Sequence, residues 1–265
     1  MPAMKAEKEP IIALLTDFGT EDGYVGALKG RLLSLVPFAR LVDVSHRIPP
    51  FNVRAGAFCL ANAFPYFPAH SIFLVVVDPG VGTNRRGLVL KAGQWWFVGP
   101  DNGVFTLVWK DYPGTAFRIR EERLAGPVSA TFHGRDVFAP LAAKIALGQA
   151  EPFLEPTHPP ESFWTDPRPL TESSWQVEVL HIDRFGNVIF NLHRSQWEAW
   201  GSPQPLKLEV GALLVQGPLA TFGQVAEGQC LLNWDSSGYL QLACNRASAA
   251  QKLNLKPGQK LKLKQ

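Results

Sequence analysis

Short apolar runs alternate with helix-like segments in the N-terminal part of the chain. Residues 11–15 and 72–77 are continuous apolar runs, and the second is typical of a parallel strand buried on both faces. Residues 24–35 carry large apolar side chains at helical spacing up to Pro37, and an Ala-rich segment with the same period covers residues 53–64. This alternation of strands and helices predicts an α/β fold, with a three-layer α/β/α domain built on a mostly parallel sheet.

The pattern changes after residue 151. Prolines crowd residues 152–170, which excludes regular helix and central strand and indicates an ordered linker. Beyond it, short strand-like runs separated by glycine and proline turns predict a smaller C-terminal β-barrel-like domain. Alternating lysine and leucine near the C terminus predict an edge strand with one face in water. We therefore expect an α/β domain over residues 1–151, the linker, and an all-β domain over residues 171–265.

Composition and charge exclude several classes of protein. The chain has 265 residues, 46% of them hydrophobic, and a net charge of +3, which argues against disorder and against a dedicated nucleic-acid binder. No apolar stretch approaches the ~18 residues that a membrane span needs, so we expect a soluble cytoplasmic protein without membrane partners. Cys59, Cys230 and Cys244 are odd in number and widely spaced. Neither a disulfide framework nor a structural zinc site is expected from them, and a reducing compartment fits best.

Polar residues concentrate in turns that follow the predicted strands. Asp17 and Asp78 each end a strand, and ligands of α/β sheets bind at the carboxyl ends of parallel strands. A carboxylate placed there can accept hydrogen bonds from both hydroxyls of a ribose. For Asp22 the alternative is capping of the following helix. The glycines of residues 78–86 allow close backbone approach to a ligand, although the segment lacks the ending of a phosphate loop and a solvated hairpin turn is the alternative.

A second group of candidates lies around a glycine-flanked histidine. His133 precedes an Ala-rich helix, where an imidazole can face a cleft, and Asp136 is predicted to cap that helix. Among the remaining histidines only His46 is a rival, and Asp101 is interpreted as a structural turn residue. Aspartate and histidine are ligand types for divalent metals, but no H-x-H or D-x-D spacing occurs, so no metal site is expected.

Taken together, these segments resemble one family. The matching stretches are TDFGTEDGYVGALKG from Thr16, DPGVGTNRR from Asp78, PDNG from Pro100, FHGRDVFAP from Phe132 and DRFGNVIFN from Asp183. In order and spacing they are similar to the adenosine-forming S-adenosyl-L-methionine (SAM) hydrolases, also called SAM hydroxide adenosyltransferases, relatives of SAM-dependent fluorinases and chlorinases. The resemblance implies hydrolysis of SAM without a cofactor, a two-domain fold, and a homotrimer whose active sites lie between subunits.

The resemblance also implies which residues bind the substrate. Asp17 corresponds to the carboxylate that grips the ribose hydroxyls, Asp22 and Asp183 to acidic residues near the methionine amino group, and Ser236 to a contact of its carboxylate. The remaining implied contacts are aromatic walls on the ribose and adenine and groups at the adenine edge: Phe51, Phe132, Phe222, Asn187, Asn245 and Arg246. At Ser237 the halogenases carry an arginine, so recognition of the amino-acid end differs here.

The implied water-handling set is Asp78, Arg85 and His133, with Arg86 as the neighbouring alternative to Arg85. Whether Asp78 or His133 accepts the proton is left open by the sequence. Halogenases carry tyrosine where this chain has Asp78, which favours a hydrolase over a halogenase. Two functions of different classes also fit the sequence: a SAM or adenosine sensor without turnover, and a metal-dependent phosphohydrolase that uses the strand-end aspartates.

Overall fold

In the computed structural model, which describes residues 9–201 and 205–265, the chain divides between Phe163 and Trp164 into two units. The strands of the N-terminal unit are β1 (Ile11–Thr16), β2 (Arg40–Ser45), β3 (Ile72–Val76), β4 (Gly87–Ala92), β5 (Trp95–Pro100), β6 (Thr115–Ile119) and β7 (Leu154–Pro156). They form one sheet in the order β2-β1-β3-β5-β4-β6-β7. The first four strands of that order run parallel and the later pairs antiparallel, so the sheet is mixed.

Helices cover both faces of this sheet. They are α1 (Tyr24–Leu35), α2 (Val53–Ala63), α3 (Thr106–Asp111) and α4 (Ala139–Ala146). Because successive strand residues point to opposite faces, Leu14 packs in the core on the α1 and α4 side, while Leu15 packs on the α2 and α3 side. The predicted three-layer α/β/α architecture is confirmed.

The C-terminal unit is an antiparallel sheet curled into a nearly closed barrel. Its strands are β8 (Arg168–Thr171), β9 (Ser174–Ile182), β10 (Val188–His193), β11 (Leu206–Val210), β12 (Leu213–Gly217), β13 (Cys230–Trp234), β14 (Tyr239–Cys244) and β15 (Lys260–Lys264), with short helices α5 (Arg194–Ala199) and α6 (Ala249–Lys252). The order is β12-β11-β15-β9-β10-β14-β13, with β8 paired to β9. Alternate apolar side chains of these strands fill one shared core, as predicted for a β-barrel-like domain. No helix in the described parts of the chain is long and apolar enough to cross a membrane.

Two predictions for the C-terminal part are wrong. The Lys–Leu segment is not an edge strand, because β15 pairs with β11 on one side and β9 on the other. Its lysines stay in water because they share the outer face, while Leu263 is buried. Second, Cys230 and Cys244 form a disulfide. Their separation in the sequence hides the fact that they lie directly opposite each other on antiparallel β13 and β14.

Loss of this disulfide should destabilise the C-terminal unit. The bond closes a loop with a sequence separation of 14 residues. A crosslink of that size restricts the unfolded chain enough to be worth about 3 kcal/mol. We expect the Cys230→Ser/Cys244→Ser double variant to unfold at lower urea, with Cys59→Ser as the matched control at an unpaired cysteine. Urea unfolding followed by circular dichroism measures this, and equal midpoints for the double variant and the control would contradict it.

Candidate active site

Neighbouring parallel strands place the two strand-end aspartates at one edge of the N-terminal sheet. Thr16 of β1 is in register with Val76 of β3, so Asp17 and Asp78 follow at the same edge. The half-buried Asp17 accepts a hydrogen bond on Oδ2 from the Phe51 backbone N–H at 2.8 Å. Burial raises the pKa of Asp17, the Phe51 N–H partly opposes the change, and the Asp78 carboxylate raises the pKa further.

Asp78, Arg85 and His133 form a buried hydrogen-bonded cluster. Arg85 donates from Nε to both oxygens of Asp78 at 3.0 Å and from Nη2 to Oδ2 at 2.6 Å. The same Nη2 lies 2.8 Å from Nδ1 of His133. The side chains of Arg85 and Asp78 are only 9% and 4% exposed, so water screens their pairing weakly. Arg86 points elsewhere: it donates to Asp101 at 2.5 Å and to Thr157 at 2.7 Å. The geometry therefore assigns the cluster to Arg85.

The arginine fixes which nitrogen of His133 carries the proton. A guanidinium can only donate hydrogen bonds, so Nδ1 of His133 must accept the one from Arg85. In the neutral ring the proton then resides on Nε2. His133 is 8% exposed and lines the same pocket as Asp78. The site therefore combines a carboxylate acceptor with an imidazole N–H donor.

A close backbone contact brings the Asp78 loop to the His133 segment. Gly82 has φ 77°, and a Cβ added there would lie 2.5 Å from the carbonyl oxygen of Ala130. Only glycine, which has no Cβ, allows the two backbone segments to lie this close together. Beyond His133 the chain makes a π-helical turn, Gly134–Phe138, before α4 begins. The capping role predicted for Asp136 is wrong, since this residue lies inside that turn and accepts hydrogen bonds from the Ser129 N–H and its neighbour Arg135.

These groups open into a pocket of about 280 Å³. It is lined by Asp17, Phe18, Tyr24, Pro50, Phe51, Val76, Asp78, Val81, Thr131, Phe132, His133 and Gly134. The rings of Phe18, Tyr24 and Phe132 meet with centroids 5.5–6.0 Å apart and build one apolar wall. Phe51 is 72% exposed and has φ 65°, a backbone conformation that residues other than glycine seldom adopt. A carboxylate opposite apolar rings suits a ligand with a polar sugar and a flat base.

Phe18 and Tyr24 are pocket residues that the sequence pattern did not reveal. Tyr24 belongs to the apolar period that predicts α1, and the structure places it in the pocket lining with 52% of its surface exposed. The signal that could have identified Tyr24 as a pocket residue is its position at the start of α1, close in sequence to the Asp17 turn. Asp22 is exposed and does not cap α1, because the N-cap residue is Gly23 and no side chain caps this end. Its carboxylate makes no hydrogen bond within the described residues, which leaves it available for a ligand.

The remaining predicted contacts lie in the C-terminal unit, where the structure brings Asp183 and Asn187 together. The carboxylate of Asp183 accepts from the backbone N–H of Phe185 and Asn187 at 2.9 Å and from Asn187 Nδ2 at 2.8 Å. These bonds orient the Asn187 amide with Oδ1 as its remaining acceptor. Val188, the next residue, is paired with Leu242 near the end of β14, so Asn187 lies near the end of the hairpin that leads into Asn245.

The predicted contacts beyond Asn187 occupy both ends of the β13–β14 hairpin. Asn245 donates from Nδ2 to the Val225 carbonyl at 2.8 Å, which ties it to the segment that carries the 43% exposed Phe222. Arg246 has φ 55° and lies 3.5 Å from Glu227. Ser236 is exposed in the turn at the opposite end of the hairpin. The strand pairing thus places Asn187 and Asn245 towards one end of the hairpin and Ser236 at the other. Within the described residues, no three His, Cys, Asp or Glu side chains converge as metal ligands.

Comparison with known sequences identifies the family of this pocket. The profile of the SAM hydroxide adenosyltransferase N-terminal domain matches residues 12–153, and that of the C-terminal domain matches residues 177–262. The chain belongs to the SAM hydroxide adenosyltransferase family. The first match includes the loops that carry Asp17, Asp78 and His133. The pocket described above therefore lies within the region that matches the family's N-terminal domain.

Individual relatives match nearly the whole length of the chain. A Thermus thermophilus protein named (R)-S-adenosyl-L-methionine hydrolase is 44% identical to this chain. The alignment covers 95% of this chain and 98% of the Thermus protein. A fluorinase from Nocardia brasiliensis is 30% identical over 97% of both chains. A crystal structure of a conserved protein from Thermotoga maritima, described as uncharacterized, superposes with a TM-score of 0.85 at 34% identity, covering 96% of this chain and 100% of that one.

Proposed function

We propose that this protein hydrolyses SAM to adenosine and L-methionine, and that the substrate is the (R) epimer at sulfur named for its Thermus relative. The observation that carries the proposal is the buried Asp78–Arg85–His133 cluster in the wall of a pocket whose other side holds Asp17 and aromatic rings. A water molecule held by this cluster attacks C5′ of the ribose, and methionine leaves.

The leaving group needs no acid, because a sulfonium departs as a neutral thioether. The enzyme must instead place a water molecule in line behind the C5′–S bond. Orientation of this kind can contribute about 7–11 kcal/mol to the barrier reduction. Removal of a proton from the water by a positioned base adds about 10²–10⁴-fold.

The hydrogen-bond directions divide these tasks between two side chains. His133 presents Nε2–H, so it donates to the water oxygen and orients a lone pair, while Asp78 retains lone pairs that accept the water proton. Arg85 holds the Asp78 carboxylate in place with its planar, bidentate donors. In this scheme Asp78 is the base and His133 the orienting donor. The carboxylates of Asp17 and Asp22 favour a cationic sulfonium substrate.

The substrate contacts follow the division of the chain. Asp17 accepts hydrogen bonds from the ribose hydroxyls, with Phe51 and Phe132 against the sugar and base. Asn187, Asn245, Arg246 and Phe222 serve the adenine end, and Asp22, Asp183 and Ser236 the methionine end. Since several of these residues lie in the C-terminal unit, we also propose a homotrimer in which each site is completed by a neighbouring subunit. Light scattering should then give three times the 29.2 kDa chain mass.

Product analysis tests the proposed reaction. Purified protein is incubated with (R)-SAM and, separately, (S)-SAM in halide-free buffer, with Asp78→Asn as the matched control. We expect adenosine and methionine in equal amounts from the (R) epimer with the wild type alone. Since the proposed water activation uses the side chains of Asp78, Arg85 and His133, EDTA should leave the rate unchanged. Chromatography of the nucleosides is the measurement.

Different results would indicate different functions. Tight SAM binding without products would indicate a sensor, and activity lost to EDTA and restored by a divalent metal would revive a metal-dependent reaction. Absence of adenosine in halide-free buffer, with formation of 5′-deoxy-5′-haloadenosine after addition of chloride or fluoride, would indicate a halogenase. Each of these results contradicts the proposed hydrolysis.

A further inference from the structure

A second histidine lies beside the turn that carries Asp17. His46 follows β2 and is 5% exposed, and its Nδ1 lies 2.8 Å from Oγ1 of Thr16. Thr16 is fully buried at the end of β1 and immediately precedes Asp17. The sequence marks His46 as the rival of His133, but His46 is not among the residues that line the pocket. Its contacts are therefore with the residues that support the pocket.

The hydrogen bonds around His46 have a consistent direction. Oγ1 of Thr16 accepts from the Phe18 N–H at 3.3 Å, so its own proton can be donated to Nδ1 of His46. With Thr16 as the donor, the proton of a neutral His46 ring resides on Nε2, which lies 3.1 Å from Oδ1 of Asp43. This last contact is poorly aligned for a hydrogen bond and acts mainly as electrostatic attraction. Burial alone would raise the pKa of Asp43, but contacts with Lys29 and His46 outweigh it and keep Asp43 ionised.

Two backbone contacts link the loop after β2 to the same turn. The Gly19 N–H donates to the His46 carbonyl at 2.8 Å, and the Phe51 N–H donates to Asp17 Oδ2 at 2.8 Å. Residues 46–51 therefore hold the Thr16–Gly19 turn on both sides of Asp17. A change at His46 would be transmitted to the orientation of the Asp17 carboxylate and to the position of Phe51.

We propose that His46 is a positioning residue: by holding Thr16 and Gly19 it sets the Asp17 carboxylate for a ribose with two free hydroxyls, and so makes the site selective for ribonucleosides. This inference rests on the proposed function, because it takes Asp17 as the ribose-binding group. Two hydroxyls must meet one carboxylate at the same time, so a small rotation of Asp17 weakens the diol contact while leaving contacts to the base unchanged.

Thr16→Val tests the inference, since valine keeps the branched shape of a buried strand residue and removes only the hydroxyl. Affinities for adenosine and 2′,3′-dideoxyadenosine are measured by calorimetry. We expect the wild type to prefer adenosine and the preference to fall about three- to tenfold in Thr16→Val. With SAM as substrate, KM should rise while kcat changes little. His46→Asn, whose Oδ1 can replace Nδ1 as the acceptor, should restore part of the preference relative to His46→Leu.

A matched control separates positioning from general loosening. Thr106 is another buried threonine whose hydroxyl accepts a backbone N–H, from Phe163, and it is absent from the pocket lining. Thr106→Val should keep the wild-type preference, and an equal loss in this control would overturn the inference. If the wild type prefers adenosine over 2′,3′-dideoxyadenosine and Thr16→Val keeps the same preference, the role of His46 is overturned, while the ribose assignment of Asp17 stands. A wild type without any preference would overturn the ribose assignment of Asp17, and with it this inference, while product formation from SAM tests the hydrolysis separately.

Discussion

Replacement of Asp78 by asparagine is expected to lower kcat for SAM hydrolysis by about 10²–10⁴-fold with little change in SAM affinity. The variant keeps the size of the side chain and removes the proton acceptor. Since Asp78 contacts the attacking water and not the substrate in this scheme, the loss should fall on kcat. Single-turnover kinetics with a separate SAM binding measurement divide the two effects.

Variants of His133 test whether this residue donates to the water or accepts its proton. His133→Gln places an amide N–H close to the position of Nε2–H and should retain much more activity than His133→Ala, because donation to the water is its task. If His133→Gln and His133→Ala were equally inactive while Asp78→Asn stayed active, His133 would be the base and the division of roles would be reversed. Near-wild-type turnover in both Asp78→Asn and His133→Ala would remove the cluster from the chemistry.

Asp17→Asn should raise the adenosine dissociation constant and the KM for SAM by about 10- to 100-fold. The amide loses one of the acceptors that face the two ribose hydroxyls, and hydrogen bonds to a charged acceptor are the stronger kind. Asp111→Asn, an exposed aspartate at the end of α3, is the conservative control. Calorimetric titration with adenosine measures the effect, and an unchanged affinity would show that another group binds the ribose.

The raised pKa of Asp17 gives this binding a characteristic pH dependence. The carboxylate accepts both hydroxyls only when ionised, so affinity is full above its pKa and falls as pH drops through it. Because burial raises this pKa above the usual range of an aspartate, the loss should begin at a higher pH than for an exposed aspartate. In Asp17→Asn the affinity should no longer follow this titration.

The sequence predicted the parts of the fold that depend on local pattern. Continuous apolar runs identified β1 and β3 as buried parallel strands, and strand-end position alone brought Asp17 and Asp78 to one edge of the sheet. The choice between Arg85 and Arg86 was not accessible, because adjacent residues entering a strand point in opposite directions and only the packed structure shows which one meets Asp78.

Tertiary contacts account for the predictions that failed. Asp136 carries an N-cap residue type, but a π-helical turn places it inside the helical segment, where Ser129 becomes its partner. The pairing of Cys230 with Cys244 depends on the register of two strands, which residue spacing does not encode.

Arg85 donates from Nε and Nη2 to Asp78 and from Nη2 to His133, and the Asp78 carboxylate compensates its positive charge within the wall of the pocket. In the proposed reaction the nucleophile lies directly against the Asp78 carboxylate, to which water can donate a hydrogen bond and a halide ion cannot. A fluoride or chloride ion would be repelled there, whereas neutral water would not. If the cluster holds the nucleophile as proposed, it selects against anions, and we expect the enzyme to use water even where chloride is abundant.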